Sequence, residues 1–334
     1  MKKRAISLIS GGLDSAVATK LIIDQGIEVI GLHLTSMFAS KRDRQRGHMA
    51  LRTAGELGIE IITKDKGDDY IEIVKNPRYG YGKNMNPCID CRIYMLRLTK
   101  ELLSELDASF VVTGEVLGQR PMSQRRNAME LIEKRSELTG LIVRPLSARL
   151  FPPTIPEQEG IIDRERLLDV SGRSRQVQYR LVETYGLSEF DLPGGGCLLT
   201  DPIFSRRLKD LMATDPRCTK KDIEFLTIGR HFKLSPSVKF IVARNEREND
   251  QLAVMAEAPY ITVEPTDFKG PRGVLKAEEP SEEILLLSAR ILARYGKDVP
   301  QTATVEIGSG TKRPLSFHVE EIDSDAMLMQ QETP

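Results

Sequence analysis

Residues 6–22 read "ISLISGGLDSAVATKLI". A short apolar, β-prone run (4–10, "RAISLIS") stops at Gly11-Gly12, and "DSAVATKLIIDQG" then continues with apolar residues at helical spacing. A strand, a Ser-Gly-Gly turn and a helix start with Asp14 and Ser15 in its first turn suit an anion. Glycine lets backbone approach closely, and the first helical N–H groups face the ligand from the positive end of the dipole. Ser10 and Ser15 add hydroxyl donors. The alternative is an ordinary strand-to-helix turn, where paired glycines are common. The stretch is neither G-x-x-x-x-G-K-[ST], because no lysine follows the glycines, nor G-x-G-x-x-G.

Outward from this turn the chain alternates. "IEVIGLHL" (27–34), "IEIITKD" (59–65), "SFVVTGE" (109–115) and "LTGLIVRPL" (138–146) read as further strands, with helices at 45–58 and 91–107 and a loop-rich stretch at 66–90. This predicts an α/β fold with a parallel sheet covered by helices on both faces, whose ligands sit at the strands' carboxyl ends. Beyond about residue 220, short strand-like runs at "FLTIGRHFKL", "VKFIVARNE", "YITVEPT", "RGVLKAE" and "TATVEIG", with one helix at 281–296, predict a smaller C-terminal α+β domain. The expected boundaries are a catalytic domain at 1–200, a linker at 201–220, a small domain at 221–320 and a tail at 321–334.

The 334 residues carry 48 basic and 48 acidic side chains, so global charge points to no polyanion partner. Local charge is uneven. "KRDRQRGH" (41–48) is basic, and 202–221 holds six basic residues, Arg206 and Arg207 among them, against two acidic ones. Such runs suit phosphates but also solvated helix faces. No tryptophan advertises a base-stacking platform. No apolar run reaches the ~20 residues of a membrane span. The basic start and short apolar run of the N-terminus lack a cleavage pattern, so no signal peptide is expected. Four cysteines in this length do not make a disulfide scaffold, and a reducing cytoplasm is expected.

Two of those cysteines form "NPCIDC" (86–91). Such a pair can be half a zinc site, a redox dithiol, part of an iron–sulfur cluster, or two inert thiols. Pro87 suits a chain entering a helix, and a helix N-terminus lowers a thiol's pKa, which favours reactive or metal-bound sulfur. A four-cysteine zinc site needs a second pair, and the remaining Cys197 and Cys218 are isolated. Cys197 follows "LPGGG", whose glycines let backbone crowd a cluster or nucleotide; Cys218 is expected to be a bystander.

S-G-G-x-D-S directly after a first strand resembles the signature of the PP-loop ATP pyrophosphatases. That superfamily cleaves ATP between its α and β phosphates and includes GMP, NAD and asparagine synthetases and tRNA thiolases. The resemblance implies ATP with Mg²⁺ at Ser10, Gly11, Gly12, Asp14 and Ser15, with Asp14 also catalytic. It places adenine against the main chain of His33 and Leu34, the His33 side chain itself being packed. "VVTGEVLGQRPMSQ" (111–124) resembles the T-G-E-x-x-G-Q segment of tRNA 4-thiouridine synthetases, with "IVRPLS" downstream. This implies ATP contacts at Gly114 and Gln124. Three residues separate Gln119 from Ser123, one more than that pattern, which makes Gln119 an alternative to Gln124. Arg92 falls where these enzymes place an arginine near the nucleotide; otherwise it is a surface helix residue.

The 2-thiouridylases also carry N-P-C-x-x-C and one distant cysteine. By resemblance to the cluster-dependent tRNA thiolases, Cys88, Cys91 and Cys197 would ligate three irons of a 4Fe–4S cluster and leave one open. The rival is a metal-free mechanism in which Cys197 carries a persulfide that Cys88 or Cys91 resolves. The implied reaction is ATP-dependent tRNA thiolation: a base carbonyl oxygen, expected to be that of uridine, is adenylated and replaced by sulfur, with AMP and pyrophosphate released. The implied partners are tRNA and a sulfur donor, sulfide or a cysteine desulfurase, with a homodimer left open and no membrane. With the loop at residue 10, the N-terminal RNA-binding domain of 4-thiouridine synthetases is expected to be absent. The segment 227–250 resembles the RNA-binding domain of NFACT proteins. It offers Arg230, His231, Lys233, Lys239 and Arg244 for RNA, unless these form an ordinary basic sheet surface. "SGRSRQVQ" (171–178), with Arg173 and Arg175, is a further candidate for tRNA or phosphate. Two other readings stay open: a PP-loop enzyme adenylating a small molecule, with zinc or persulfide cysteines, and an RNA-binding accessory protein with a vestigial loop.

Overall fold

Ala5, Ile6, Ser7 and Leu8 are all buried, because β1 (Arg4–Leu8) runs through the middle of a sheet with helices packed on either face. The structure, a computed structural model, describes residues 3–191, 197–277 and 279–319, without the side chains of 41–44 and 46. The glycine run 194–196, the tail 321–334 and most of the basic side chains of 41–48 therefore lie outside it. The chain divides into two compact units, Met1–Thr200 and Asp201–Pro334.

The first unit continues with α1 (Leu13–Ile23), β2 (Glu28–Thr35), α2 (Lys41–Leu57), β3 (Ile61–Asp65), α3 (Asp69–Lys75), α4 (Cys88–Glu105), β4 (Phe110–Thr113), α5 (Arg126–Arg135), β5 (Ile142–Val143), α6 (Ile155–Gln158) and α7 (Gln176–Tyr185). All strand pairs are parallel, in the order β3-β2-β1-β4-β5. Alternate residues face opposite ways, as the period of two requires. Ala5, Val29, Phe110, Val112 and Val143 pack with Ile22 of α1, and Ile6, Leu8, Leu32, Val111 and Ile142 with Ile93 and Leu96 of α4 and Ile132 of α5. The order reverses direction between β1 and β4, paired through Ala5–Phe110 and Leu8–Thr113. In open α/β sheets the crevice at that switch point is where ligands bind.

The second unit holds α8 (Pro202–Thr214), α9 (Lys220–Phe225), β6 (Arg230–Lys233), β7 (Lys239–Val242), α10 (Glu246–Met255), β8 (Tyr260–Pro265), β9 (Gly273–Lys276), α11 (Glu282–Arg294), β10 (Thr302–Ser309) and β11 (Thr311–His318). Its sheet runs β11-β10-β8-β9-β7-β6 and its pairs are antiparallel. Leu285, Ala289 and Leu292 of α11 pack with Phe232, Phe240, Val263, Leu275, Val305 and Phe317. The expected linker corrects to secondary structure: α8 lies within 201–220 and buries Phe204, Leu208 and Leu211, capped by Asp201 Oδ1 accepting from the Phe204 N–H at 2.8 Å.

Candidate nucleotide and thiol site

Gly11, at φ 74°, turns the chain from β1 into α1, a left-handed conformation that suits glycine. The helix N-cap is Gly12, which has no side chain to cap the first-turn N–H groups. Ser15 Oγ donates to the Gly12 carbonyl at 2.8 Å and lies 3.3 Å from Ser10 Oγ, so both predicted hydroxyls sit on the turn. Asp191 N–H ties down the Gly11 carbonyl at 2.7 Å. The turn thus sets the uncapped N–H groups of α1 beside two serine hydroxyls, the chemistry that phosphate wants.

Asp14 is held from three sides. It accepts from Gln119 Nε2 at 2.6 Å, Gln178 Nε2 at 3.1 Å and Arg175 Nε at 3.4 Å. Gln119, not Gln124, therefore reaches the loop. Gln124 closes its own turn by accepting the Gly118 N–H at 2.7 Å. The side-chain oxygens of Gln119, Gln124 and Gln178 are buried without a hydrogen-bond partner among the described residues, which leaves acceptors for a ligand's hydroxyl or amino groups. Gly114 packs directly on the first turn of α1: a Cβ there would stand 2.7 Å from the Asp14 carbonyl and the Ser15 nitrogen. His33 is packed, as expected, with Nδ1 2.9 Å from the Ile9 carbonyl oxygen, and Leu34 is half-buried against the sheet core.

The thiols come together through tertiary contacts. α4 starts at Cys88, three residues earlier than expected, so Cys88 and Cys91 share its first turn. The 197–200 turn is stitched to the rest of the unit by Leu198 N–H to Phe38 O at 2.9 Å, Met85 N–H to Leu199 O at 3.1 Å and Asn84 Nδ2 to Thr200 O at 2.8 Å. This brings Cys197 within electrostatic reach of the pair. Burial first, and the neighbouring Cys91 second, push the Cys197 thiol up to about 12. The same two causes raise Cys88, against the pull of Arg120 and Arg92. Cys91 differs. Burial would raise it, but the Lys66 ammonium, the Tyr70 hydroxyl and Arg92 outweigh burial and lower it, so Cys91 is the thiol biased toward thiolate. Among the described residues no three His, Cys, Asp or Glu side chains are already gathered as a metal-ion site. Cys218 is buried in the second unit.

Arg92 follows Cys91 and donates through Nε to Glu115 Oε1 at 2.7 Å. Glu115, 1% exposed, also accepts from Arg144 Nε at 3.3 Å, and Arg144 Nη1 reaches Glu133 at 2.7 Å. Burial alone would raise the Glu115 carboxyl, but Arg92 and Arg144 hold it below the usual carboxylate range. Sequence reasoning did not single out Lys66 or Tyr70, and it gave no role to Glu115, Arg144 or Gln178, which lie inside the segments it quoted. Lys66 directly after β3 and Glu115 directly after Gly114 had a positional signal, since both stand at strand carboxyl ends.

The basic candidates for RNA are mostly neutralised. Lys233 pairs with Asp210 at 2.8 Å, Arg244 with Glu248 at 2.6 Å, and the Arg230 guanidinium lies 4.6 Å from the Tyr295 ring centroid. Lys239 also pairs with Asp210. His231 is buried, with Nε2 2.9 Å from the Ile228 carbonyl oxygen. Arg207 is buried and donates to the Leu226 carbonyl at 3.0 Å, which withdraws it from any partner surface. Arg173 and Arg206 are exposed. Arg175 lies on Asp14. No helix among the described residues is long and apolar enough to cross a membrane.

Comparison with known proteins fits this geometry. Residues 1–149 match the family model described as thiamine biosynthesis protein (ThiI), and residues 229–330 match that of the NFACT protein RNA binding domain. The chain is similar to the tRNA-specific 2-thiouridylase MnmA of Mesoplasma florum, 30% identical over 179 residues that cover 46% of this chain and 48% of that protein. It is similar to the probable tRNA sulfurtransferase of Thermococcus kodakarensis, 24% identical over 171 residues, or 50% of this chain and 40% of the relative. A crystal structure of a 4-thiouridine synthetase–RNA complex with bound ATP aligns at 20% identity and a TM-score of 0.36, covering 55% of this chain and 51% of that one. The chain thus spans about half or less of the length of these two curated relatives. Residues 1–149 are thus similar to the ThiI family and to curated tRNA-thiolation enzymes, and residues 229–330 to the NFACT protein RNA binding domain.

Proposed function

We propose that the chain is an ATP-dependent tRNA sulfurtransferase. One juxtaposition carries this reading. Gly114 packs against the first turn of the phosphate loop's helix, and the next residue, Glu115, holds the arginine that follows Cys91. The anion site and the thiols thus meet across two adjacent residues of one strand end. Thiolation needs both halves, because a base carbonyl oxygen must become a leaving group before sulfur can replace it.

In this reading the Ser10–Ser15 turn binds the phosphates of ATP. The base's carbonyl oxygen attacks the α-phosphorus and pyrophosphate leaves; sulfur then bonds to the ring carbon and AMP departs with the oxygen. Arg92 is anchored by Nε, and both its Nη groups take no protein acceptor among the described residues, so they suit the charge that develops on the phosphates. Mg²⁺ belongs with the phosphates.

Cys88, Cys91 and Cys197 suit a 4Fe–4S cluster better than one zinc ion. They supply three soft ligands rather than four, and a cluster spaces its cysteines more widely than a single ion does. When bound, such a cluster would offer an open iron to sulfide. The persulfide alternative draws on the inequality of the thiols. Cys91 as thiolate would attack a Cys197 persulfide, forming the Cys91–Cys197 disulfide and releasing hydrosulfide. The NFACT-type domain would grip the tRNA, with a cytoplasmic location; the sulfur source would be sulfide for the cluster route and the sulfane sulfur of a cysteine desulfurase for the persulfide route.

The test is nucleoside analysis of tRNA from a deletion strain, together with anaerobic reconstitution of the purified chain. A missing thionucleoside, restored by the wild-type gene and not by a Cys197→Ser variant, is the expected result. Unchanged tRNA thionucleosides would refute the substrate. A reconstituted protein without iron and acid-labile sulfide would refute the cluster and leave the persulfide route.

A further inference from the structure

Asp14 places a negative charge in the first turn of α1, where the phosphates of a nucleotide would come. Gln119 and Gln178, 7% and 0% exposed, hold this carboxylate with neutral donors. Arg175 makes the longest of the three contacts, 3.4 Å through Nε, and among the described residues its Nη groups take no acceptor. Its backbone is nevertheless fixed. Gly172 N–H donates to Leu117 O at 2.7 Å, Arg175 O accepts the Tyr179 N–H at 3.0 Å, and Val182 and Leu187 pack α7 and its end against Leu13, Ala16 and Val17 of α1. A guanidinium on a rigid base, weakly parked on a carboxylate at the mouth of an anion turn, is built to change partners. Residues 171–178 also lie beyond the 1–149 family match.

We infer that Arg175 is a phosphate-binding residue for the pyrophosphate portion of the nucleotide. It leaves Asp14 as the triphosphate enters, while Gln119 and Gln178 keep Asp14 in place. Arg175 then faces the charge that grows on departing pyrophosphate, a role for which a planar fork of donors is suited. This rests on the ATP-binding reading above and reassigns Arg175 from RNA to the nucleotide.

Isothermal titration of the full chain with ATP, inorganic pyrophosphate and AMP, each with Mg²⁺, tests it. Arg175→Gln should weaken ATP and pyrophosphate by about 10- to 100-fold, the worth of one charge-assisted contact, with AMP within about 2-fold. Arg175→Lys should recover part of the loss, and Arg180→Gln, at an exposed position of α7, should leave all three affinities unchanged. Equal weakening of AMP, unchanged ATP affinity, or a loss confined to tRNA binding would each overturn the assignment. A wild-type chain that binds no ATP would instead overturn the nucleotide reading on which it rests.

Discussion

The Lys66 ammonium donates to the Cys91 sulfur across 3.2 Å. The same ammonium lies 4.6 Å from the Tyr70 ring centroid, and the carbonyl of Lys66 accepts from Tyr94 Oη at 2.6 Å, so its position is fixed at both ends. Cys91 is half-buried, and that burial would raise its pKa, yet Lys66, Tyr70 and Arg92 reverse it, whereas burial raises Cys197. In metal-free protein carrying Cys88→Ser and Cys197→Ser, Cys91 should keep its thiolate as pH falls below the ordinary value of about 8.5, losing it only through a lower midpoint. Lys66→Met should move that midpoint upward. The pH dependence of alkylation by a small haloacetamide reads it, and an unmoved midpoint in the Lys66 variant would exclude the ammonium as the cause.

The Arg92–Glu115–Arg144 chain, buried at Glu115 and Arg144 and half-buried at Arg92, should be costly to break. Glu115→Ala leaves two arginines without their shared carboxylate, and about 3–5 kcal/mol of stability should be lost. The folded pKa of Glu115 is depressed, so its contribution is complete above the unfolded value of about 4.3 and disappears as pH falls through the folded value. Urea denaturation should therefore show a gap between wild type and Glu115→Gln at pH 7 that narrows as pH falls below the unfolded value. A gap independent of pH would mean that the carboxylate charge is not what joins the two arginines.

Gly114→Ala should damage the nucleotide turn directly. Its Cβ would meet the Asp14 carbonyl and the Ser15 nitrogen at 2.7 Å, and both are backbone atoms that cannot rotate away. Either α1 or the end of β4 must shift, a typical overpacking cost of about 1–3 kcal/mol. ATP affinity should fall together with the melting temperature. An alanine variant that binds ATP like wild type would show that the two strand ends tolerate separation.

Local sequence carried the phosphate turn and the strands around it, since a strand, two glycines and a helix start are all encoded within 17 residues at 6–22. Gln119 on Asp14 was within reach as an alternative, because loop spacing alone could not say which glutamine turns inward. The partners of Asp14 at Arg175 and Gln178 are more than 160 positions away and follow from packing of α7 on α1. Lys66 beside Cys91 was hidden in the same way, 25 positions away in a stretch without periodicity. The edge strand β11 escaped notice because its exposed Lys312, Arg313 and Pro314 break the alternation, and proline is tolerated at a sheet edge. Charge alone left two meanings open. Lys233, Lys239 and Arg244 are candidates for an RNA face or for an ordinary basic surface, and in the structure they pair with Asp210 and Glu248.

Arg206 and Arg207 separate those two meanings of a basic run within one helix. Arg207 is 5% exposed and its guanidinium donates to Leu226 O, tying α8 to the end of α9, while Arg206 faces outward. Arg207→Ala should leave a buried carbonyl with one fewer donor and reduce stability by about 1–3 kcal/mol, with tRNA affinity changed only as far as folding is lost. Arg206→Ala should cost less stability than Arg207→Ala and, if α8 contacts phosphate, reduce the slope of log affinity against log salt by about one. Thermal denaturation and salt-dependent tRNA binding of the two variants decide it. If Arg206→Ala leaves the slope unchanged, Arg206 is not part of the RNA footprint.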